Sequence, residues 1–235
     1  MTSKEVLAAL KNYGNENTKK IHLTHGAKEP LYGVKVEDLK KVLKQIKNDQ
    51  QLALELYETG NSDAMYLAGL AADGAKMTKK QLQQWADKAY WSFLSEYTVP
   101  WVATESPQGY ELAMEWIDSK KENLASTGWA TINTIVSTKP NEELDVKKLK
   151  ALLARVDKEI QKAPNRVKYT MNAFVIGLGS YVPELNKEAM AIAKKIGVVT
   201  VDMNGTACKT PFAPDYIKKV MDKGRLGVKR KNIKC

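Results

Sequence analysis

Apolar residues recur at three- and four-residue intervals along most of this chain, and helix-breaking residues interrupt the pattern at short range. Val36, Leu39, Val42, Leu43 and Ile46 follow that spacing, as do Leu149, Leu152, Leu153, Val156 and Ile160. Start signals sit at the breaks. Thr78 and Gln81 have the capping-box pattern, in which a hydroxyl and an amide satisfy orphan N–H groups reciprocally. Ser106 before Pro107 reads as a cap followed by proline at the first helical position, and Ser62, Asp145 and Asn165 read as further caps. Gly14-Asn15, Gly60-Asn61, Asp73-Gly74, Lys139-Pro140 and Ala163-Pro164 fall between the periodic segments. The expected product is an all-α chain of roughly ten to twelve short helices.

Short amphipathic helices with short connections bury their apolar faces by stacking side by side, the logic of a HEAT-like α-solenoid. Starts near residues 36, 79, 146 and 183 are unevenly spaced, so the repeats are degenerate, and a bundle of other connectivity stays open. One segment departs from helix. Val198 to Val201 is β-branched and precedes Asn204-Gly205, the preferred type I′ pair, which predicts a short β-hairpin near 198–210 or a plain loop. A last helix is expected over 213–223. Residues 1–223 then form one domain, and 224–235 a flexible basic tail.

The net charge of +10 is concentrated at that end. From Cys208 to Cys235 nine Lys or Arg face only Asp215 and Asp222, a local charge of +7. Such a segment suits a polyanion, foremost nucleic acid, or serves solubility alone. Only Arg155, Arg166, Arg225 and Arg230 are arginines, and base-edge readout favours the arginine fork. Backbone contact with little sequence specificity is the expectation. No stretch reaches the length of a membrane span, and the N-terminal residues lack an apolar signal core, so a cytoplasmic location is expected. Cys208, Cys235, His22 and His25 fit no standard zinc spacing, and no metal is expected. Cys208 reads as a small buried hydrophobe.

Tyr90 to Trp101 gathers aromatic rings and one carboxylate, Glu96, on a segment that reads as a helix leading into Pro100. Rings beside a carboxylate can hold an electron-poor, positively charged group such as an alkylated base. Trp85, Trp101 and Trp116 sit among apolar neighbours and read as core. Arg166, Lys168, Tyr169, Thr170 and Asn172 mix cations with hydroxyl and amide donors, the usual set for phosphate contacts, or form a solvated helix start. Lys40, Lys41, Lys44 and Lys47 form a stripe that reads as plain surface.

Several segments together resemble the DNA alkylation repair family, the AlkD-like HEAT-repeat DNA glycosylases, in a divergent subgroup. Tyr32 to Lys40, Trp91 to Pro100, Gly128 to Ile132, Arg166 to Asn172 and Val201 to Lys209 carry the likeness in order and spacing. The resemblance implies a concave all-α superhelix whose basic inner face holds duplex DNA. Its active members release N3- or N7-alkylated purines, whose existing charge weakens the glycosidic bond. It also places Trp91 and Trp129 on the concave face.

The sequence departs from the family where charge is needed. With Trp91 matched to the family's tryptophan, its two aspartates fall on Ser92 and Ser95, its phosphate-contacting arginine on Ser126 or Thr127, and a later tryptophan on Phe174. On a straight helix Ser95 lies about 40° from Trp91 and Glu96 about 140° away. Pro100 removes the helical bond to the Glu96 carbonyl, and a kink there is the route by which Glu96 would turn inward. The expectation is therefore a monomeric, cofactor-free protein that holds duplex, distorted or branched DNA and has weak or lost excision chemistry. Its contacts would come from Ser126, Thr127, Trp129, Arg166, Lys168, Tyr169, Thr170, Phe174, Lys229, Arg230 and Lys231. Two alternatives stand beside it. One is an active glycosylase for cationic alkylpurines using Trp91 and Glu96, and the other a HEAT-type protein-interaction scaffold.

Overall fold

The computed structural model describes residues 1–234, and Cys235 lies outside the described residues. The elements run α1 (Ser3–Asn12), α2 (Glu16–Thr24), α3 (Val36–Ile46), α4 (Gln50–Glu58), α5 (Ser62–Ala71), α6 (Lys79–Lys88), α7 (Val99–Glu105), α8 (Gly109–Trp116), α9 (Glu122–Thr138), α10 (Val146–Glu159), α11 (Asn165–Tyr181), α12 (Asn186–Ile196) and α13 (Ala213–Asp222). A π turn, Leu94–Thr98, runs directly into α7. No strand forms among the described residues, and no helix is long and apolar enough to cross a membrane.

Local chemistry sets most of the boundaries. Thr78 and Gln81 make the reciprocal capping box of α6, and Asp145 caps α10 by accepting from the Lys148 N–H. Three expected caps are corrected. Asn61, one residue before Ser62, caps α5 through bonds to the Asp63 and Ala64 N–H groups. Ser106 closes α7, and α8 begins at Gly109. Asn165 is the first residue of α11 and spends its amide elsewhere: it donates to the Asp202 carbonyl and accepts from the Asp202 N–H.

That exchange explains why the expected hairpin is absent. Met203 to Thr206 does make the turn, with positive φ at both Asn204 and Gly205 and a bond from the Thr206 N–H to the Met203 carbonyl. The flanks do not pair, because the Asn165 side chain takes the backbone groups of Asp202 that a ladder would use. Val199 and Val201 are drawn into the core. The segment is a loop fastened to the start of α11. Cys208 is exposed, so it is not the buried hydrophobe expected.

Two apolar cores share the stack. One extends from Val6 to Leu124 and the other from Ala113 to Ile217. α9 stands between them and packs on α7, α8 and α11. A helix enclosed nearly all round reads apolar or small throughout. In α9 the hydroxyls of Ser126, Thr127, Thr131, Thr134 and Ser137 all bond back to carbonyls three or four residues earlier. They satisfy themselves within the helix.

A buried carboxylate fixes the N-terminal part. Asp63, at the start of α5, accepts from the N–H groups of Tyr32 (2.6 Å), Val34 (2.9 Å) and Gly33 (3.1 Å), which anchors the chain entering α3. Asp63→Ala orphans two buried donors and one half-buried one and is expected to lower unfolding stability by about 3 kcal/mol in urea titrations. Lys150→Ala, which breaks only an exposed pair with Glu188, should leave the midpoint in place.

Candidate nucleic-acid interface

The π turn decides where Glu96 points. Pro100 has no N–H to offer the Glu96 carbonyl, and the chain answers by widening: the Val99 N–H bonds five residues back to Leu94, and the Thr98 hydroxyl bonds to the Phe93 carbonyl at 3.0 Å. In a widened turn each residue advances less around the axis. Glu96 therefore does not swing as far from Trp91 as a straight helix would carry it. Its side chain is 4% exposed and points into the protein.

There it meets Arg166 from the first turn of α11. Arg166 Nε donates to Oε1 at 2.7 Å and Nη2 to Oε2 at 2.6 Å, a bidentate pair that occupies both carboxylate oxygens. The guanidinium carbon lies 4.4 Å from the centre of the Tyr169 ring, and Nη1 faces Met203 Sδ at 3.5 Å. The Arg166 N–H donates to Glu122 Oε1, so a second carboxylate sits at the positive end of α11. Burial pushes the Glu96 carboxyl above its ordinary value, and the Arg166 guanidinium pulls it back.

The acid and the tryptophan line different cavities. Trp91 is 5% exposed, stacks on Phe93 at 4.6 Å and meets His22 at 5.5 Å. It lines a recess of about 260 Å³ with His25, Ser92, Glu122, Asn165, Arg166 and Asp202. Glu96 instead lines a cavity of about 210 Å³ with Tyr97, Trp101, Asn133, Tyr169 and Arg230. Arg166 lines the first cavity and holds the acid of the second. Ser95 is buried and Ser92 is half-buried, and neither supplies charge.

The other expected contact residues divide by burial. Trp129, Phe174, Ser126 and Thr127 are fully enclosed, so none meets a phosphate in this arrangement. Trp129 and Phe174 pack on each other at 5.2 Å, and the two hydroxyls bond to the Asn123 carbonyl. Thr170 bonds back to Arg166 and Val167 while lining the Glu96 cavity. Lys168 is half-buried, and Lys231 is exposed. Trp101, expected as core, is 3% exposed yet forms part of the cavity wall. The four-residue spacing of Tyr97 and Trp101 was the signal that both face one side.

The basic end is laid along the body. The Gly227 N–H bonds to the Ser180 carbonyl and the Arg230 N–H to the Ser137 carbonyl. Lys229 Nζ caps the end of α9 at the Val136 carbonyl, and burial pushes its amine below the usual lysine value. Ile233 packs on the N-terminal core, and Lys234 bonds to the Ala72 carbonyl and pairs with Glu105. The segment expected to be flexible thus crosses from one core to the other, and Arg230 is carried to the Glu96 cavity.

The sequence profile of the DNA alkylation repair enzymes matches residues 6–200. The chain belongs to the DNA alkylation repair family. Two uncharacterized proteins, from Listeria innocua and Listeria monocytogenes, are each 34% identical over 215 residues, covering 89% of this chain and 92% of theirs. A solved structure, from a new family described as related to the HEAT-like repeat DNA glycosylases with affinity for branched DNA structures, is 36% identical. It superposes with a TM-score of 0.93 over all of both chains. The fold is the HEAT-like helical repeat of that family.

Removing Arg166 leaves a buried carboxylate without its partner. Arg166→Ala is expected to cost about 3 kcal/mol. In that variant burial, with the nearby Glu122 charge, raises the folded-state pKa of Glu96 unopposed, so stability present below its unfolded value of about 4.3 is lost as pH rises. The gap to wild type in urea titrations should widen as pH rises above that value, and Glu96→Gln in the same background should close most of it.

Proposed function

We propose that this protein holds DNA by backbone and shape and does not excise bases. The observation that carries the reading is the bidentate capture of Glu96 by Arg166. Release of an alkylpurine builds positive charge on the sugar, and a catalyst must supply negative charge or an aromatic face to meet it. Glu96 already faces a guanidinium at hydrogen-bond distance, and the two carboxylates that line the Trp91 recess accept backbone N–H bonds, Glu122 from Arg166 and Asp202 from Asn204. Trp91, the ring matched to the family's tryptophan, opens onto another recess. Ser92 and Ser95 offer no substitute.

Several features favour DNA as the partner. The chain carries +10, its family acts in DNA alkylation repair, and its structural relative is described as having affinity for branched DNA. With few arginines free for base edges, recognition rests on lysine charge and on the ease with which the DNA adopts the required path. A junction or distorted duplex is already bent and costs less to seat than a straight one. The protein acts as a monomer and needs no metal or cofactor for this task.

Binding measured against salt tests the reading. Affinity for a plain duplex should fall by about tenfold or more between 50 and 200 mM salt, as expected when several phosphates are neutralised. A four-way junction should compete better than a linear duplex of equal length at each salt concentration. A flat salt dependence would remove DNA as the partner and return the protein to a scaffold role.

A further inference from the structure

From the cavity beside the Glu96–Arg166 pair we infer a pocket for one unpaired, uncharged nucleobase, presented by the distorted DNA of the function proposed above, on which this inference rests. The walls suit a flat ring. Tyr97 is 41% exposed at the mouth, Trp101 stands 6.2 Å behind it, and Tyr169 closes the α11 side over the Arg166 guanidinium. Stacking of this kind accepts any base, because every base has a π-face. The space of about 210 Å³ is smaller than the roughly 300–1,000 Å³ of a drug-sized ligand site, which fits one ring system.

The polar groups select within that class. Asn133 lines the cavity from α9; its Oδ1 is buried against α11, where a Cβ at Gly177 would fall 1.9 Å away, which leaves Nδ2 as the atom to meet a ligand. The amide supplies hydrogen bonding to a base edge. Glu96 and Arg166 neutralise each other, and Arg230 arrives on the basic segment as a second guanidinium. Two cations against one carboxylate repel an alkylated, positively charged purine. They favour a neutral base whose own phosphate lies at the mouth, where Arg230 is exposed. An extruded base has already lost its pairing at a junction or bulge, so the energy of flipping it is small there.

The pocket is tested with a junction carrying one unpaired adenine, compared with the same junction carrying a tetrahydrofuran abasic residue at that position. Wild-type protein is expected to bind the adenine form about fivefold or more tightly, the worth of one stacked base. Tyr97→Ala should bring that ratio close to one while the abasic junction binds as before. Arg230→Ala should weaken both junctions by similar factors, since it acts on the phosphate. An unpaired N7-methylguanine should bind less tightly than guanine. Equal wild-type affinity for the adenine and abasic junctions would overturn the pocket and leave the DNA-binding reading intact. If neither junction binds, the DNA-binding reading itself falls, and the pocket with it.

Discussion

The Glu96–Arg166 pair is the joint on which the arrangement of this molecule turns. It ties the π turn to the first turn of α11, and so connects the N-terminal core to the C-terminal one across the candidate site. Tyr169 rests on its guanidinium, Met203 touches it from the loop, and Glu122 holds the backbone of the same arginine. Asn165, next in sequence, fixes the loop through Asp202. A buried carboxylate left alone would be strongly disfavoured, whereas one met by a planar fork with two short bonds is tolerated. In the function proposed here, the same pairing that stabilises Glu96 in the interior withholds it from chemistry.

What could be read from the sequence follows from what is local. Helix starts at Val36, Lys79 and Val146 were legible because periodicity and caps act within one or two turns. The Asn204-Gly205 turn was legible for the same reason. The strands around it were not, since their pairing depended on a side chain 37 residues away. Glu96 is the most instructive case. Pro100 announced an irregular turn, and the inward aim of the acid follows from it. That the acid would be met by Arg166, 70 residues on, had no local sign. Arg166 reads from sequence as a phosphate contact or part of a solvated helix start, and in the fold two of its donors are engaged by Glu96. The family likeness implies Trp129 on the concave face and Phe174 at the place of a later tryptophan, yet both rings are fully buried where α9 packs on α11.

The basic end behaves differently from a free polycation. Lys229 and Lys234 place their amines on the carbonyls that close α9 and α5, where the helix dipole is negative. Part of the local +7 therefore stabilises the fold. Arg230 and Lys231 remain exposed, and Arg230 is aimed at the aromatic cavity. A chain that reads as a disordered tail by composition becomes a strap once its cations find helix ends and Ile233 finds the core.

In the proposed function, capture of Glu96 by Arg166 leaves a DNA-holding site without excision chemistry. It is tested most directly by single-turnover release of 7-methylguanine from methylated duplex DNA, with protein in excess and a parallel sample without protein. The two release curves are expected to coincide. Release above the spontaneous rate that disappears in Glu96→Gln would contradict it.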